Sequence, residues 1–311
     1  MLVFTHPSCL QHDPGPDHPE SPQRLLAVLD ALRDAFPDRL DWRQAPPAKR
    51  GELARVHEDG LIDLVLQAQT TALRQIDLDT RTSPGSATAA LHAAGAGVAA
   101  VDAVMLGDDP LAFCAVRPPG HHATASAAMG FCLLNNIAVA AAYARDRYGL
   151  ERIAVVDFDV HHGNGTQDIF QHDPRVAYYS THQAGLFPHS GLRRDRGAGN
   201  LLNILLPPGS GSLRFRNVWV EEMLPAIDDF RPQLLLVSAG FDAHLRDPQA
   251  DLMLETEDFA WITTELLALA RRHAAGRVVS MLEGGYDLQA IADCSVAHVG
   301  ALLDAQADAP R

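Results

Sequence analysis

Carboxylates and an imidazole that follow the ends of two apolar segments have the spacing of metal ligands. Asp157 and Asp159 are two residues apart, so a strand would direct both side chains to the same side, and His161 follows two residues later. Neighbouring buried carboxylates repel one another and lose solvation unless a cation is present. Asp242, just after a second apolar segment, is a natural further ligand. These residues therefore predict a metal site.

The donor types bear on which metal would bind there. One histidine and two aspartates leave coordination positions open for water or substrate, which is typical of catalytic rather than structural zinc. Mixed nitrogen and oxygen donors also suit Fe(II), so the residues alone leave zinc and Fe(II) as alternatives.

A histidine pair and a tyrosine provide groups that could move protons beside such a metal. His121 and His122 follow a Pro-Pro-Gly turn. Adjacent residues rarely ligate one ion together, so we expect the pair to act in proton transfer. Asp157 and Asn164 are available to orient their second ring nitrogens. Tyr286 lies on a Gly-Gly turn, where its hydroxyl could donate a hydrogen bond to an oxyanion.

These polar clusters come directly after predicted strands. Short apolar segments without clean alternation suit strands that are buried on both faces of a parallel sheet. Ligands bind beyond the carboxyl ends of such strands, so we expect the clusters to converge on one pocket, although each alone is more often a cap or a turn. The predicted strands are Leu2–Thr5, Ala112–Arg117, Ile153–Asp159, Val176–Ser180, Leu202–Leu206, Leu234–Ala239 and Val278–Leu282.

Longer segments with helical spacing alternate with the strands. This alternation predicts an α/β sheet covered by helices, and the lack of a linker or repeat favours one domain over residues 1–311. The predicted helices are Ser21–Phe36, Ser86–Leu106, Asn135–Tyr148, Ser212–Phe230 and Thr256–Ala274.

Composition excludes several classes of partner. The net charge is −14 and there is no long run of Lys or Arg, which argues against nucleic-acid binding and favours cationic substrates. Four cysteines without a CxxC pair predict a reduced, cytoplasmic location. The N-terminus lacks the features of a signal peptide. The apolar stretch Ala93–Leu106 is interrupted by Asp102, so we expect no membrane span.

Several longer motifs resemble the zinc-dependent histone deacetylase family, in particular class II enzymes and bacterial relatives such as acetylpolyamine amidohydrolases. The motifs occur in the family's order and extend from about residue 6 to residue 290. They are Arg117–Ala123 (RPPGHHA), Asp157–Gly165 (DFDVHHGNG), Ser238–Ala243 (SAGFDA), Leu282–Asp287 (LEGGYD), His18–Leu25 (HPESPQRL) and Gly130–Asn136 (GFCLLNN).

The resemblance implies the arginase–deacetylase fold, a largely parallel eight-stranded sheet with helices on both faces. It implies zinc bound by Asp159, His161 and Asp242. His122 would be the general base and later the acid, and His121 would act mainly through its charge. The two histidines would be backed by Asp157 and Asn164, and a tyrosine, Tyr286, would polarise the substrate carbonyl.

The resemblance also implies an acyl-lysine tunnel and bound monovalent cations, usually potassium, otherwise sodium. Phe131 and Phe187 would line the tunnel, and Arg24 would line an internal exit for acetate. One cation would use Asp157, Ser180 and Thr181 with main-chain oxygens of Asp159 and His161. A second would lie near Phe170, Asp173 and Val176.

The expected substrate is an acyl-lysine peptide or a small acylated amine. Polyamine-specific relatives carry Glu seven residues after the last metal aspartate, where this chain has the uncharged Gln249. Asp13, Asp17 and Glu20, in a predicted rim loop, could recognise a cationic substrate. An acetylpolyamine deacetylase, an arginase-like ureohydrolase, a non-catalytic acyl-lysine binding module and a hydrolase of unrelated amides or esters remain alternatives. The oligomeric state stays open.

Overall fold

A parallel sheet of eight strands forms the centre of the protein in this computed structural model, which describes residues 1–67 and 72–307. Its strand order is β2-β1-β5-β10-β9-β6-β7-β8, and a separate antiparallel pair is formed by β3 and β4. In chain order the strands are β1 Leu2–Thr5, β2 Asp41–Gln44, β3 Arg74–Gln75, β4 Arg81–Thr82, β5 Leu111–Cys114, β6 Ile153–Asp157, β7 Val176–Gln183, β8 Leu201–Leu206, β9 Leu234–Ala239 and β10 Val278–Leu282.

Helices cover the sheet. A 3-10 turn at Pro7–Leu10 precedes the first helix, and a π-helical turn at Trp219–Met223 joins α7 to α8. The helices are α1 Pro22–Ala35, α2 Arg50–Leu53, α3 Asp59–Leu66, α4 Ser86–Leu106, α5 Asn136–Tyr148, α6 Asn164–Phe170, α7 Ser212–Val218, α8 Leu224–Phe230, α9 Thr256–His273 and α10 Leu288–Ala307.

The predicted parallel sheet of eight strands is confirmed, with differences at particular elements. The polar strand β2 was not predicted, because it lies at the edge of the sheet and is only partly buried. Helix α10 was not predicted either, since it contacts both α1 and α9 and therefore lacks a one-sided apolar pattern. Strands β5 and β6 end earlier than predicted, and β7 continues three residues further, to Gln183.

Helix α4 is apolar because it belongs to the core. By length and composition alone it could cross a membrane, but 67% of its most apolar window is buried inside the protein. It packs against α5 and against strands β1, β5 and β10. Its burial explains its hydropathy.

The sheet topology brings the four polar clusters together. Strands β5, β10, β9 and β6 are consecutive neighbours and run in parallel, so their carboxyl ends meet at one edge. Asp157, the last residue of β6, lies opposite Ser180 of β7 and Ser238 of β9. The loops after these strands therefore share one crevice.

Glu283, in the loop after β10, ties that loop to the loop after β5 and to strand β9. Its Oε2 accepts hydrogen bonds from the backbone N–H groups of Gly120 (2.7 Å) and His121 (3.2 Å), and its Oε1 accepts from the Ser238 hydroxyl (3.0 Å). The side chain is buried, and burial raises its pKa to about 7. Because buried N–H groups need acceptors, this carboxyl group holds the backbone of the histidine pair.

Replacing Glu283 tests this contact. Glu283→Met has a similar volume but removes both acceptor oxygens, which leaves two buried N–H groups unpaired and should cost roughly 2–4 kcal/mol of unfolding free energy. Glu283→Gln keeps one acceptor oxygen and should lose less than half as much. Urea denaturation measures both values. Equal losses in the two variants would contradict the assigned role of the acceptor oxygen.

A second close contact joins α4 to the segment that follows β2. A Cβ atom at Gly95 would lie 1.9 Å from the carbonyl oxygen of Pro46 and 2.7 Å from the backbone nitrogen of Ala48. The Ala48 N–H donates to the carbonyl of Leu91 in α4 (2.8 Å), which holds the segment in place. Position 95 therefore requires glycine, because a side chain there would overlap the backbone of Pro46 and Ala48.

Gly95→Ala should therefore destabilise the protein by about 1–3 kcal/mol, because backbone must shift to admit the methyl group. Gly60→Ala is the matched control, since Gly60 lies in α3 and a Cβ there meets nothing within 4 Å. This control should gain roughly 0.5–1 kcal/mol from helix propensity. Denaturant unfolding compares the two, and an equally stable Gly95→Ala variant would exclude the steric argument.

Candidate metal centre and active site

Asp159, His161 and Asp242 converge beyond the ends of β6 and β9. One ligand atom from each lies within 4.8 Å of the others. The Nδ1 atom of His161 is 3.3 Å from Oδ1 of Asp159 and 3.2 Å from Oδ2 of Asp242. Both carboxylates are almost completely buried. The three donors face one another closely enough to share one ion.

Backbone groups hold the two carboxylates in position. Asp159 accepts hydrogen bonds from the N–H groups of His161 (2.9 Å) and Gly284 (2.8 Å), and Asp242 accepts from that of Val160 (2.9 Å). A Cβ at Gly284 would lie 2.0 Å from Oδ2 of Asp242. A side chain there would therefore displace a ligand atom.

The same applies to Gly240, where a Cβ would lie 2.0 Å from Oδ2 of Asp159. The site thus depends on glycine at the end of β9 as well as after β10.

The charges of this cluster favour a bound cation. Burial opposes the charged form of His161, but hydrogen bonds to Asp159 and Asp242 raise its pKa to about 10. Burial and the charge of Asp159 raise the pKa of Asp242 to about 7. Without an ion, a proton on His161 would offset part of the negative charge of the carboxylates. A divalent ion with mixed nitrogen and oxygen ligands fits the same donors.

The two adjacent histidines lie beside this centre with their rings 4.0 Å apart. Nδ1 of His121 is 3.0 Å from Oδ2 of Asp157, and Nδ1 of His122 is 2.8 Å from Oδ1 of Asn164. Nε2 of His121 lies 3.8 Å from Oδ1 of Asp159. Each imidazole therefore has one nitrogen held by a partner and the other nitrogen left for chemistry.

The two histidines differ in protonation. Burial would lower the pKa of His121, but the carboxylates of Asp159 and Asp157 outweigh it and hold the pKa well above the usual value. Burial, together with the positive charges of His121 and His161, holds the pKa of His122 well below the usual value. His122 is therefore the member of the pair that can accept a proton at neutral pH.

Asp157 connects the histidine pair to strand β7. Its Oδ2 accepts from the Tyr178 hydroxyl (2.9 Å) as well as facing His121, and its Oδ1 accepts from the backbone N–H of Asp159 (3.1 Å). The Tyr178 hydroxyl also accepts from the N–H of Gly163 (2.9 Å). Tyr178 was not predicted as a site residue, because an aromatic inside an apolar strand resembles ordinary core.

Tyr286 lies in the loop that follows β10, and its backbone is anchored by Asp247. Oδ2 of Asp247 accepts from the Tyr286 N–H (2.6 Å). Arg24 Cζ lies 4.7 Å from the Tyr286 ring centroid. Burial is the main reason that the phenol pKa lies well above its usual value. The negative charges of Asp242 and Asp159 raise the pKa further, whereas the positive charge of Arg24 lowers it. The hydroxyl therefore keeps its proton and can donate it in a hydrogen bond.

Two half-buried aromatic rings flank the site. The Phe187 ring is 5.1 Å from the His122 ring and 6.4 Å from the His161 ring, whereas the Phe131 ring is 5.8 Å from that of Tyr286. Gln249 is also half-buried, and its backbone N–H donates to Oδ1 of Asp247 (3.0 Å). The loop that carries Gln249 is thus linked to the loop of Tyr286 through Asp247, a contact that the sequence did not reveal.

The expectation that Glu20 lies at the rim is wrong. Glu20 is fully buried and pairs with Arg117, Arg24 (3.0 Å) and His12 (3.3 Å). Burial would raise its pKa, but Arg117 and His12 hold it well below its usual range. The carboxylate pairs with two buried guanidinium groups, which solvent cannot reach. Asp13 and Asp17, by contrast, are exposed.

Arg24 is buried beneath the Tyr286 loop. Its Nη2 donates to the carbonyl oxygen of Glu283 (2.6 Å), and its Nε donates to that of Gly285 (2.5 Å). It therefore contacts the backbone that leads to Tyr286.

The residues predicted to hold monovalent cations form two separate groups. Asp157, Ser180 and Thr181 lie together at the ends of β6 and β7, where the Ser180 hydroxyl is 2.9 Å from Nδ1 of His182. The Thr181 hydroxyl is buried and has no hydrogen-bond partner within the described residues. In the second group, the carbonyl oxygens of Phe170, Asp173 and Val176 surround the side chain of Asn200.

Known proteins are similar to this chain in sequence and fold. Residues 18–302 match the histone deacetylase domain family. The chain is 40% identical over 288 residues to a histone deacetylase-like amidohydrolase of Pseudomonas aeruginosa, covering 91% of this chain and 75% of that protein. It is 38% identical over 301 residues to the human polyamine deacetylase HDAC10, covering 91% of this chain and 44% of that protein.

The crystal structure of the HDA15 HD domain has the same architecture. It superposes with a TM-score of 0.92 at 33% sequence identity, over 97% of this chain and 88% of that one. This confirms the arginase–deacetylase fold. With the family match and the relatives above, it shows that the chain belongs to the histone deacetylase family.

Proposed function

We propose that this protein is a zinc-dependent deacetylase that removes acetyl or other acyl groups from acyl-lysine or a related acylated amine. The observation that carries the proposal is the convergence of a three-ligand cluster, a histidine pair of unequal basicity and a protonated phenol on one crevice. Membership of the histone deacetylase family supports the same reaction class.

Asp159, His161 and Asp242 would hold the zinc ion, for which Fe(II) is the alternative. When bound there, the ion supplies Lewis acidity to the amide carbonyl and lowers the pKa of water. The donor set and its need for positive charge support this assignment.

His122 would act as the general base and then as the general acid. Its low pKa leaves Nε2 free to take a proton from the attacking water, and Asn164 at Nδ1 keeps the ring oriented. The same proton would then pass to the leaving amine. His121, whose charge Asp157 and Asp159 stabilise, would contribute mainly electrostatically. A positioned base of this kind contributes roughly 10²–10⁴-fold to the rate.

Tyr286 would donate a hydrogen bond to the carbonyl oxygen as negative charge develops on it. One such donor contributes about 10²–10³-fold. Phe131 and Phe187 would enclose the apolar part of the acyl-lysine side chain, because their rings flank Tyr286 and His122.

An acyl-lysine peptide or small acylated amine is the favoured substrate. The net charge of −14 suits a cationic substrate of either kind. An acetylpolyamine is the second candidate, since a polyamine deacetylase is among the relatives. Gln249 has no charge with which to hold a polyamine ammonium group, which favours the lysine substrate.

Two rival functions fit the site less well. An arginase-like ureohydrolase needs a second metal with further aspartate ligands, whereas the described part of the chain has one group of three candidate ligands, Asp159, His161 and Asp242. A non-catalytic acyl-lysine binder would not need the histidine pair and Tyr286 beside that group.

We propose in addition that Asp157, Ser180 and Thr181 hold one monovalent cation, for which the unpaired Thr181 hydroxyl is a donor oxygen.

Removal of a ligand should remove the metal. Asp159→Ala and His161→Ala are expected to purify with much less than one zinc per chain, because the remaining ligands cannot fill a tetrahedral site. His172→Ala is the matched control, since His172 is exposed and lies in the turn after α6. Elemental analysis of the purified variants measures the metal content. Full zinc occupancy in His161→Ala would exclude this ligand set.

Substrate turnover tests the reaction directly. The zinc-loaded protein should release acetate from acetyl-lysine peptides, and Tyr286→Phe should retain zinc but lose about 10²–10³-fold in kcat. Parallel assays with acetylated polyamines, longer acyl-lysines and arginine rank the alternatives. Urea release from arginine, or binding of acetyl-lysine without any turnover, would overturn the proposal.

A further inference from the structure

The side chain of Asn200 lies at the centre of three converging carbonyl groups. Its Nδ2 is 2.8 Å from the carbonyl oxygen of Phe170, 3.1 Å from that of Asp173 and 2.7 Å from that of Val176. Asn200 precedes β8 and is buried. Three carbonyl oxygens around a single point can also coordinate a monovalent cation. Phe170, Asp173 and Val176 are the residues near which the family resemblance implies a second such cation.

The orientation of this amide is determined by a separate contact. Oδ1 of Asn200 accepts a hydrogen bond from the backbone N–H of Ala198 (3.0 Å). The NH₂ group must therefore point toward the carbonyls, and a flipped amide would lose the Ala198 bond and face oxygen with oxygen. The amide is thus a donor held at the centre of the shell.

Two of the three carbonyl oxygens already accept other hydrogen bonds. That of Phe170 accepts from the N–H of Asp173 (2.9 Å), and that of Asp173 accepts from the N–H of Val176 (3.1 Å). The Asn200 NH₂ group has two N–H bonds to share among the three carbonyls, and its nitrogen occupies the point between them. A cation could bind only after the amide had left.

The acidic group nearest this shell is already paired. The Asp173 carboxylate is bound by Arg145 Nη1 (2.6 Å), Arg175 Nε (2.8 Å) and Arg175 Nη2 (2.9 Å), and Arg145 Nε also binds Asp146 (2.8 Å). The Asp173 carboxylate is therefore not free to attract a cation. The group around Thr181 differs, because it contains the buried carboxylate of Asp157 and an unpaired hydroxyl.

We propose that the amide of Asn200 replaces the second monovalent cation in this chain. The nitrogen of a neutral side chain occupies the point between the three carbonyls and shares its two N–H bonds among them, so no potassium or sodium ion binds there. Of the two groups, only the Asp157 group would bind a monovalent cation. This inference concerns a structural site and holds whether or not the protein is a deacetylase.

Crystals grown with Tl⁺ as the only monovalent metal ion test the proposal in the wild-type protein. Anomalous difference maps should show no Tl⁺ peak in contact with the carbonyl oxygens of Phe170, Asp173 and Val176, and the Asn200 amide should occupy the centre. A Tl⁺ ion bound to those oxygens, with the Asn200 side chain rotated away, would overturn the proposal.

The variant Asn200→Ala tests whether the amide is what excludes the ion. It leaves three carbonyls with an empty centre and should gain one Tl⁺ site there, together with an increase of melting temperature with K⁺ that exceeds that of the wild type. Asn203→Ala, in the strand β8 that follows Asn200, is the matched control, because the Asn203 amide donates to Gln167 (2.7 Å) and not to the three carbonyls. It should gain neither. If Asn200→Ala and wild type depend equally on K⁺, the amide is not the excluding group and the proposal fails. If Asn200→Ala does not fold, the wild-type Tl⁺ map alone decides.

Discussion

The structure around the site depends on one constraint, which is that several carboxylates are buried at the end of an otherwise apolar sheet. Asp157, Asp159 and Asp242 are at most 1% exposed and lie at the ends of neighbouring strands. Such a group is stable only when positive charge and hydrogen-bond donors surround it. The histidines provide part of the charge, backbone N–H groups provide donors, and a divalent ion would complete the balance. The contacts that position the proposed chemistry are the same ones that satisfy these carboxylates.

Charge balance explains why two adjacent histidines can have different roles. His121 faces two carboxylates and is stabilised as a cation, whereas His122 faces Asn164 and lies beside two positive rings. The difference comes from the partners, because the two side chains are chemically identical. The Asn164 amide next to His122 carries no charge. The His122 ring is therefore neutral before the reaction and can accept a proton during it.

Local spacing was sufficient for much of the site. Asp157, Asp159 and His161 lie within five residues of one strand end, so their grouping does not depend on the rest of the fold. The central strands were predictable because full burial makes them continuous apolar runs. Strand β2 was missed because an edge strand lacks that run. Glu20 was misplaced at the rim because a carboxylate near two prolines looks like a surface loop, and its partner Arg117 is 97 residues away.

The sequence by itself determined the residue types of the candidate metal site and the parallel arrangement of the sheet, because both follow from short-range patterns. The tertiary structure decided which distant groups complete each contact. Glu283 accepts from a loop more than 160 residues earlier, and Asn200 fills a carbonyl shell built by the preceding helix and strand. A polar side chain in a sequence indicates that a partner is needed, but the partner depends on which segments the folded sheet brings within about 3 Å.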